Sequence, residues 1–394
     1  MLKYGVCKAP NYFLNHRNSS QIPFPKPRPT TQPTMWPLQR EWNSKELLGL
    51  PECLVSLVTK TFRAATQSGD VLFSRTDLTT LRLSGIPFQL RFCPALAKKS
   101  SSRQSVKSDE MPTSTDPFEN PPRELLVAEI PPSSPSHILV LNKFPVIPNH
   151  FILATKAFKP QAHLLEKDDL EVAFSCLASW ETSQTEETPR RLFAFFNSGE
   201  HSGASQPHRH IQFLPIEDMV QTDDSLNWMP LIDQVMQGPP SGDYNHPVML
   251  DLPFVCYWLP IPSEPSANEL HRIYVSLYAK AIYAINEFIN SSSGATEEAA
   301  LTAYGPSAIS YNLAMTTTAM AICPRQSEHA RIPLDPKFTT NIPDEGVIKL
   351  NGTLLAGTLM VKSEYEWTAL RDEPSHLEQI LTAIAIPRKA TAFS

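Results

Sequence analysis

One segment in the middle of the chain constrains the fold most, because a loop of small residues runs directly into an alternating polar and apolar stretch. The loop, residues 197–206, is rich in Gly and Ser, and the stretch that follows covers residues 208–214. Side chains of an extended strand point alternately to opposite faces, so His208, His210 and Gln212 would share one face. The pattern predicts a half-buried β-strand, because a helix would scatter these three side chains.

The polar row fits three kinds of chemistry. Two His on one strand face can ligate zinc if a third ligand comes from elsewhere. They can also be ordinary hydrogen-bonding groups, or a neutral imidazole can attack a phosphate ester and form a phosphoramidate. The preceding Gly/Ser loop offers backbone N–H groups and little bulk, which suits the close approach of a phosphate. A zinc site needs no such loop, so the segment favours nucleophilic catalysis at phosphorus.

Composition limits the class of protein. The chain has 394 residues, 41% of them hydrophobic, which suits one large or two medium domains. Its net charge of −6 and pI near 6.0 argue against a nucleic-acid partner. No apolar run approaches the roughly 20 residues of a membrane helix, so we expect no membrane association. The six cysteines are widely spaced without a CxxC pair, which predicts reduced thiols and no zinc. Reduced thiols favour a cytoplasmic location, with the nucleus as a further one.

Two segments are expected to lie outside the folded core. Residues 1–43 form a basic, Pro-rich extension that is expected to be disordered, with an organelle-targeting peptide as the alternative. Residues 100–124 are polar and Pro-rich, which predicts a mobile insert.

Hydrophobic spacing elsewhere predicts short strands between a few helices. Helices are predicted at 46–66, 168–180 and 268–289. Strands are predicted at 86–92, 125–130, 137–141, 150–154, 192–196, 208–214, 253–260, 308–316, 319–323 and 355–361. The alternation of short strands, Pro-rich turns and amphipathic helices favours an α+β fold built on antiparallel pairing.

The segment around His210 closely resembles the transferase branch of the histidine-triad superfamily. In that superfamily the central residue of His-x-His-x-His/Gln is the nucleophile; hydrolases carry His at the third position and transferases carry Gln. Other stretches are similar to one family, the diadenosine tetraphosphate phosphorylases (ATP adenylyltransferases). These stretches are 88–92, 96–99, 141–155, 310–316 and 324–325, within a resemblance from about 47 to about 368.

The resemblance implies a histidine-triad/uridylyltransferase-like antiparallel sheet flanked by helices, with a second, related C-terminal half. The implied domains are a catalytic one at 44–222 and an ATP adenylyltransferase one at 223–385. The implied reaction is reversible: diadenosine tetraphosphate and phosphate give ADP and ATP through an adenylyl-histidine. The implied partners are dinucleoside polyphosphates, ATP, ADP and phosphate, with Mg²⁺ or another divalent cation carried by the nucleotide. Two sheet-containing halves could complement each other, so we expect a monomer.

The resemblance also assigns roles to residues. His210 would be the nucleophile, and Gln212 would donate its amide to a non-bridging oxygen. His208 would orient His210 or bind the phosphate, with a structural strand histidine as the alternative. Candidates for the α-phosphate and ribose are Asn197, Gly203, Ala204, Ser205 and Gln206. Candidates for the distal phosphates or a ribose hydroxyl are Lys98, Asn142 and Lys143, although lysines are commonly only solvated. Candidates from the C-terminal half are Asn312, Met315 and Thr316, with core packing as an equal alternative.

Other functions stay open at this point. A hexose-1-phosphate uridylyltransferase shares the His-x-His-x-Gln row, but such enzymes often add metal ligands and this chain lacks a cysteine pair. A dinucleoside polyphosphate hydrolase is a further alternative. A nucleotide sensor on a decayed scaffold would have no reason to keep both His210 and Gln212. Neither His150 nor His201 has an assigned role.

Overall fold

A sheet of nine strands, all paired antiparallel, organises the molecule. The computed structural model describes residues 47–96, 116–183, 190–220, 228–234, 247–293, 299–332 and 344–388. All of these belong to one unit that spans residues 42–394. The predicted basic extension, Lys98 and residues 100–115 of the predicted insert lie outside the described residues.

Ten strands and three helices correspond to predicted ones. The sequence did not predict the strands at 77–83, 248–249, 329–331 and 347–349 or the helices at 216–219, 231–234, 364–372 and 375–384. The strands are β1 Asp77–Leu83, β2 Ile86–Phe92, β3 Leu126–Ile130, β4 His137–Leu141, β5 Phe151–Thr155, β6 Leu192–Ser198, β7 His210–Pro215, β8 Val248–Met249, β9 Tyr257–Pro260, β10 Tyr311–Met315, β11 Ala319–Pro324, β12 His329–Arg331, β13 Val347–Lys349 and β14 Thr358–Val361. The α-helices are α1 Leu54–Ser68, α2 Lys167–Glu181, α3 Ile216–Met219, α4 Leu231–Gln234, α5 Ala267–Ser293, α6 Glu364–Asp372 and α7 Ser375–Ile384. Short 3₁₀ helices cover Glu200–Ser202 and Gly352–Ala356.

The large sheet has the strand order β3-β4-β5-β7-β6-β10-β11-β9-β8. Strands of the C-terminal half therefore continue the sheet of the N-terminal half across the β6–β10 pair, in which Asn312 lies opposite Asn197. The smaller sheet, β1-β2-β14, departs from the expected antiparallel pairing because β14 runs parallel to β2. The α+β class and the antiparallel main sheet are confirmed.

Alternation along each strand separates two cores. In β6, Leu192, Ala194 and Phe196 face a core formed with α1, α2 and α5. Phe193 and Phe195 face the other core, which includes the smaller sheet and helices α4, α6 and α7. The large sheet is thus covered on both faces, and its buried strands read as nearly continuous apolar runs.

Several predicted boundaries need correction, including the start of the strand predicted from residue 308, which begins at Tyr311. The helix predicted over 46–66 is interrupted: Leu47 and Leu48 are helical, and a helix resumes at Leu54, since Gly49 has φ +58° and Pro51 disfavours a helical residue before it. The strand predicted from residue 253 begins at Tyr257. The strand predicted over 355–361 starts at Thr358, because a 3₁₀ helix occupies the preceding residues.

The predicted mobile insert is also partly wrong. Residues 116–124 form turns, and the Phe118 side chain is only 5% exposed. Its ring packs edge-on against His208 and tilted against His210, with centroid distances of 5.7 and 5.2 Å. An aromatic ring within a Pro-rich stretch thus fixes that segment against the sheet.

A buried charged cluster joins α2 to the start of β7. Arg209, 3% exposed, lies 2.7 Å from Asp169 and 2.8 Å from Glu166, which caps the helix. His137 lies 3.0 Å from the other oxygen of Asp169. Burial opposes ionisation, but the hydrogen bond from His137 and the charge of Arg209 outweigh it and hold the pKa of Asp169 below its usual range. The cluster anchors the backbone that leads into β7.

No helix among the described residues combines the length and the apolar character that a bilayer crossing demands.

We predict that Asp169→Asn lowers the free energy of unfolding by about 3–5 kcal/mol at neutral pH, because Arg209 is left buried without its full counter-charge. A depressed folded-state pKa contributes stability above the unfolded pKa, and that stability is lost as pH falls through the folded value. The difference in the free energy of unfolding between Asp169→Asn and the unmodified protein should therefore narrow below about pH 4. Urea unfolding at pH 7 and pH 3.5 measures it, with exposed Asp168→Asn as the control; equal effects of the two variants would contradict the assignment.

Candidate functional site

A cavity of about 730 Å³ opens on the face of the sheet that carries His210. Four segments form its walls: the turns after residue 116, β4 with the turn that follows it, the Gly/Ser loop, and β5 with β7. Six of the predicted site residues line it, namely Asn142, Lys143, Ser205, Gln206, His210 and Gln212. The predicted common face is confirmed for His210 and Gln212, which lie opposite Ala154 and Ile152 of β5.

His210 is held in one tautomer. Its Nδ1 atom lies 2.8 Å from the backbone carbonyl oxygen of His208, which can only accept a hydrogen bond. In the neutral ring Nδ1 therefore carries the proton, and Nε2 keeps a lone pair. Burial lowers the pKa of His210 to about 4 despite that hydrogen bond, so the ring is neutral at physiological pH. A neutral imidazole with an available nitrogen is competent as a nucleophile.

The ring of His208 serves the protein scaffold. Its Nδ1 lies 2.6 Å from a carboxylate oxygen of Asp116, and its Nε2 lies 2.8 Å from the carbonyl oxygen of Thr155. The residue precedes β7, which begins at His210, and makes only an isolated bridge with Pro160. The sequence offered two functional roles for His208, orienting His210 or binding the phosphate. The backbone carbonyl of His208 orients the His210 ring, whereas the His208 side chain does not line the cavity.

Gln212 is oriented by a relay through two other side chains. The Oδ1 atom of Asn142 accepts the N–H of Phe144 at 2.9 Å, which leaves its amide NH₂ to donate to Nδ1 of His150 at 3.1 Å. His150 then carries its proton on Nε2 and donates it to Oε1 of Gln212, also at 3.1 Å. The NH₂ group of Gln212 has no acceptor among the described residues and remains for a ligand. Burial lowers the pKa of His150 to about 4, which keeps this relay uncharged.

The Gly/Ser loop provides a row of backbone donors. The N–H groups of Gly203, Ala204, Ser205 and Gln206 donate to no acceptor among the described residues. Consecutive N–H groups in a turn form a concave site for anions. Gly203 has φ +77°, and a Cβ atom there would lie 2.7 Å from the carbonyl oxygen of Leu350, so no other residue fits.

A buried polar network supports the loop from below. Asn197 accepts hydrogen bonds from Asn312 at 2.9 Å and from the N–H of Gly352 at 2.8 Å. Asn312 also donates to the carbonyl of Ser202 at 2.8 Å, and Arg325 donates to its Oδ1. The amide of Asn312 is therefore fully engaged within the protein. Asn312 lies beneath the loop and does not line the cavity. The Nδ2 atom of Asn197 is buried and has no hydrogen-bond partner among the described residues.

The last two predicted C-terminal contacts lie elsewhere. Met315 is 3% exposed and packs in the core formed with α1, α2 and α5, on the sheet face opposite to His210. Thr316 is fully buried and bonds locally to Thr318 and Ala319. The structure does not bring either residue into the cavity, and core packing was the alternative that the sequence left open.

Sequence reasoning missed four residues of this arrangement: Asp116, Phe118, His150 and Gln161, whose side-chain amide bonds to the backbone of His210. The first two fall in the stretch expected to be mobile, where an isolated Phe was the signal available. His150 stands in the quoted 141–155 stretch and received no role. Gln161 carried no periodic signal at all.

Comparison with known families agrees with this geometry. Residues 44–234 match the model of the Ap4A phosphorylase N-terminal domain, and residues 250–387 match that of the ATP adenylyltransferase C-terminal domain. The chain belongs to the Ap4A phosphorylase family. Among curated proteins, diadenosine 5',5'''-P1,P4-tetraphosphate phosphorylase 2 of Saccharomyces cerevisiae is 26% identical over 351 residues, or 86% of this chain and 97% of that protein.

Solved structures of that family share the fold. The crystal structure of yeast Ap4A phosphorylase Apa2 has a TM-score of 0.66 and 25% identity, and the alignment covers 86% of this chain and 100% of that chain. The structure of Apa2 in complex with AMP has a TM-score of 0.64 at the same identity and coverage. The large sheet and its helices are thus an Ap4A phosphorylase fold.

We predict that the imidazole rings of His150 and His210 stay neutral down to about pH 5 in the folded protein, because each pKa is lowered to about 4. In the unfolded chain they should titrate near pH 6.5. The unfolded state then binds more protons between these values, so stability should fall as pH drops from about 6.5 to about 4. NMR titration of the ring C–H signals, assigned with His150→Asn and His210→Asn, measures this; either ring titrating near 6.5 in the folded state would refute it.

Proposed function

We propose that this protein catalyses the reversible phosphorolysis of diadenosine tetraphosphate to ADP and ATP, with His210 as the nucleophile that carries the adenylyl group. The observation that carries the proposal is the neutral His210 ring, with its Nε2 lone pair, in a nucleotide-sized cavity beside four unpaired backbone N–H groups. Membership of the Ap4A phosphorylase family supports the same substrate class.

The first step transfers AMP to the enzyme. Nε2 of His210 attacks the α-phosphorus of one adenylyl half, a P–N bond forms, and the bond to the bridging oxygen breaks to release ATP. The loop N–H groups and the NH₂ of Gln212 stabilise the charge that develops on the non-bridging oxygens. Because these donors are fixed before substrate arrives, they require little reorganisation during the reaction.

The second step returns the enzyme to its starting state. An oxygen of inorganic phosphate attacks the same phosphorus, the P–N bond breaks, and ADP leaves. The neutral imidazole is regenerated with its Nδ1 proton still donated to His208. One histidine thus serves both directions of the reaction.

The walls of the cavity suit the rest of the nucleotide. Phe118, Leu125 and Val140 form an apolar side that would accept an adenine base. Lys143 is exposed at the rim, where its ammonium group would meet distal phosphates. Glu119, which also lines the cavity, would hold, through water, a divalent cation that arrives with the polyphosphate.

Several properties remain proposals of the same kind. We propose that Mg²⁺ or another divalent cation is carried to the site by the nucleotide phosphates. We propose domains at 44–222 and 223–385, a monomeric enzyme in the cytoplasm, and no nucleic-acid or membrane partner.

We predict that His210→Ala lowers phosphorolysis by about 10⁴-fold or more, because no other group can take up the adenylyl residue. Chromatography should show equal amounts of ADP and ATP from the unmodified enzyme only when phosphate is present. Without phosphate, mass spectrometry should detect AMP on His210. His329→Ala, an exposed histidine on β12, is the control.

Other outcomes would decide for the alternatives. Cleavage to AMP and ATP without phosphate would indicate a hydrolase, and turnover of UDP-glucose would indicate a uridylyltransferase. Nucleotide binding without any product would indicate a sensor. Retained activity in His210→Ala would remove the proposed nucleophile.

We predict that His150 acts on catalysis only through Gln212. His150→Leu and Gln212→Leu should each lower kcat by about 10²-fold, because each removes an oriented donor to the transition state. The double variant should be no slower than the worse single variant, since the two residues form one relay. Additive losses in this double-mutant cycle would mean that His150 contributes independently.

A further inference from the structure

Strands β6 and β7 separate where the nucleophile stands. Their register runs from Leu192 opposite Pro215 to Phe195 opposite Gln212. If the ladder continued, Asn197 would lie directly opposite His210. The pairing ends first, and the side chain of Gln161 occupies the position between the two backbones.

The Gln161 amide replaces the missing ladder bonds. Its Oε1 accepts the N–H of His210 at 2.7 Å, and its Nε2 donates to the carbonyls of Asn197 at 2.8 Å and His210 at 3.2 Å. All hydrogens of the amide are therefore used, and the arrangement fits only one orientation of the group. Gln161 is only 4% exposed, so bulk water does not compete for these donors and acceptors.

The backbone of Gln161 is fixed to the same region. Its N–H donates to the carbonyl of Pro207 at 2.7 Å, and the N–H of Arg209 donates to the carbonyl of Lys159, also at 2.7 Å. The amide thus reaches the gap from a short segment that already pairs with the approach to β7. The Gln161 side chain is therefore a spacer between β6 and β7, and main-chain hydrogen bonds hold the backbone from which it extends.

Two consequences follow for His210. Its backbone is held at both N–H and C=O by Gln161, while its ring is held by the carbonyl of His208. The spacer also separates β7 from the end of β6, which leads directly into the Gly/Ser loop at Gly199. The width of this gap therefore sets the distance between the imidazole and the loop N–H groups.

We propose that Gln161 is a positioning residue that sets the separation between His210 and the phosphate-binding loop. The inference rests on the proposed function. Methionine matches glutamine in length but cannot bridge the two strands, and asparagine keeps the amide but is one methylene too short to reach both. A reacting group displaced by about 1 Å can lose about 10²-fold in rate.

The chain offers a matched control in Gln89. This glutamine is also buried, and its amide donates to the carbonyl of Met219 and accepts from Arg91 and Thr358. It lies on β2 of the smaller sheet and is not part of the cavity lining. Gln161→Met and Gln89→Met therefore remove the same buried group, one beside the nucleophile and one away from it.

The test measures adenylyl-enzyme formation by rapid quench, together with kcat, KM and the melting temperature. In Gln161→Met the rate of adenylyl transfer should fall by about 10²-fold with KM within about threefold of the unmodified enzyme. Gln161→Asn should stay impaired by more than about tenfold, which tests the spacer length in a variant that keeps a polar group. Gln89→Met should lower the melting temperature and leave the transfer rate of the folded enzyme unchanged.

Two results would overturn the inference: adenylyl transfer at the unmodified rate in folded Gln161→Met or Gln161→Asn, or an equal loss of rate in Gln89→Met. If Gln161→Met does not fold, Gln161→Asn decides the question alone. Failure of the proposed function looks different, because the unmodified enzyme would then form no adenylyl-histidine at all.

Discussion

The hydrogen bond from Nδ1 of His210 to the backbone carbonyl of His208 is the interaction on which the site depends. It directs the lone pair of Nε2 to the cavity and fixes the ring plane. The bond requires the backbone around Arg209 to be rigid, and that residue is anchored on the opposite face by Asp169 and Glu166. Since Asp169 also caps α2, the helix start, the charged cluster and the proposed nucleophile His210 form one continuous unit.

Burial has a double effect on this site. Removing His150 and His210 from water lowers both pKa values and leaves two neutral rings, each with hydrogen-bonding partners that determine its proton position. The same burial makes every fixed donor in the cavity more effective toward a charged ligand. The C-terminal half contributes from beneath, because Arg325 and Gly352 fix the asparagines that carry the Gly/Ser loop.

Local periodicity was sufficient to predict ten of the fourteen described strands, the shared face of His210 and Gln212, and the loop beside them, because these depend on neighbours in sequence. The same rule could have excluded Met315, since residues three apart on a strand, such as Asn312 and Met315, point to opposite faces. Gln161 and Phe118 could not be found this way. Their roles come from contacts with His210 across 49 and 92 positions of sequence, which no local pattern encodes.

The arrangement also explains why phosphate would be a better acceptor than water for an adenylyl group on His210. Water must lose a proton as it attacks, whereas phosphate at neutral pH already presents a charged oxygen. The described groups that hydrogen-bond around His210 and Gln212 do not supply a base: Nδ1 of His150 accepts from Asn142, and Gln212 offers only its NH₂. The two oxygens of Asp116 accept from His208 and from the N–H of Phe118. Since these groups do not supply a base, they disfavour hydrolysis, and we propose phosphate as the productive nucleophile.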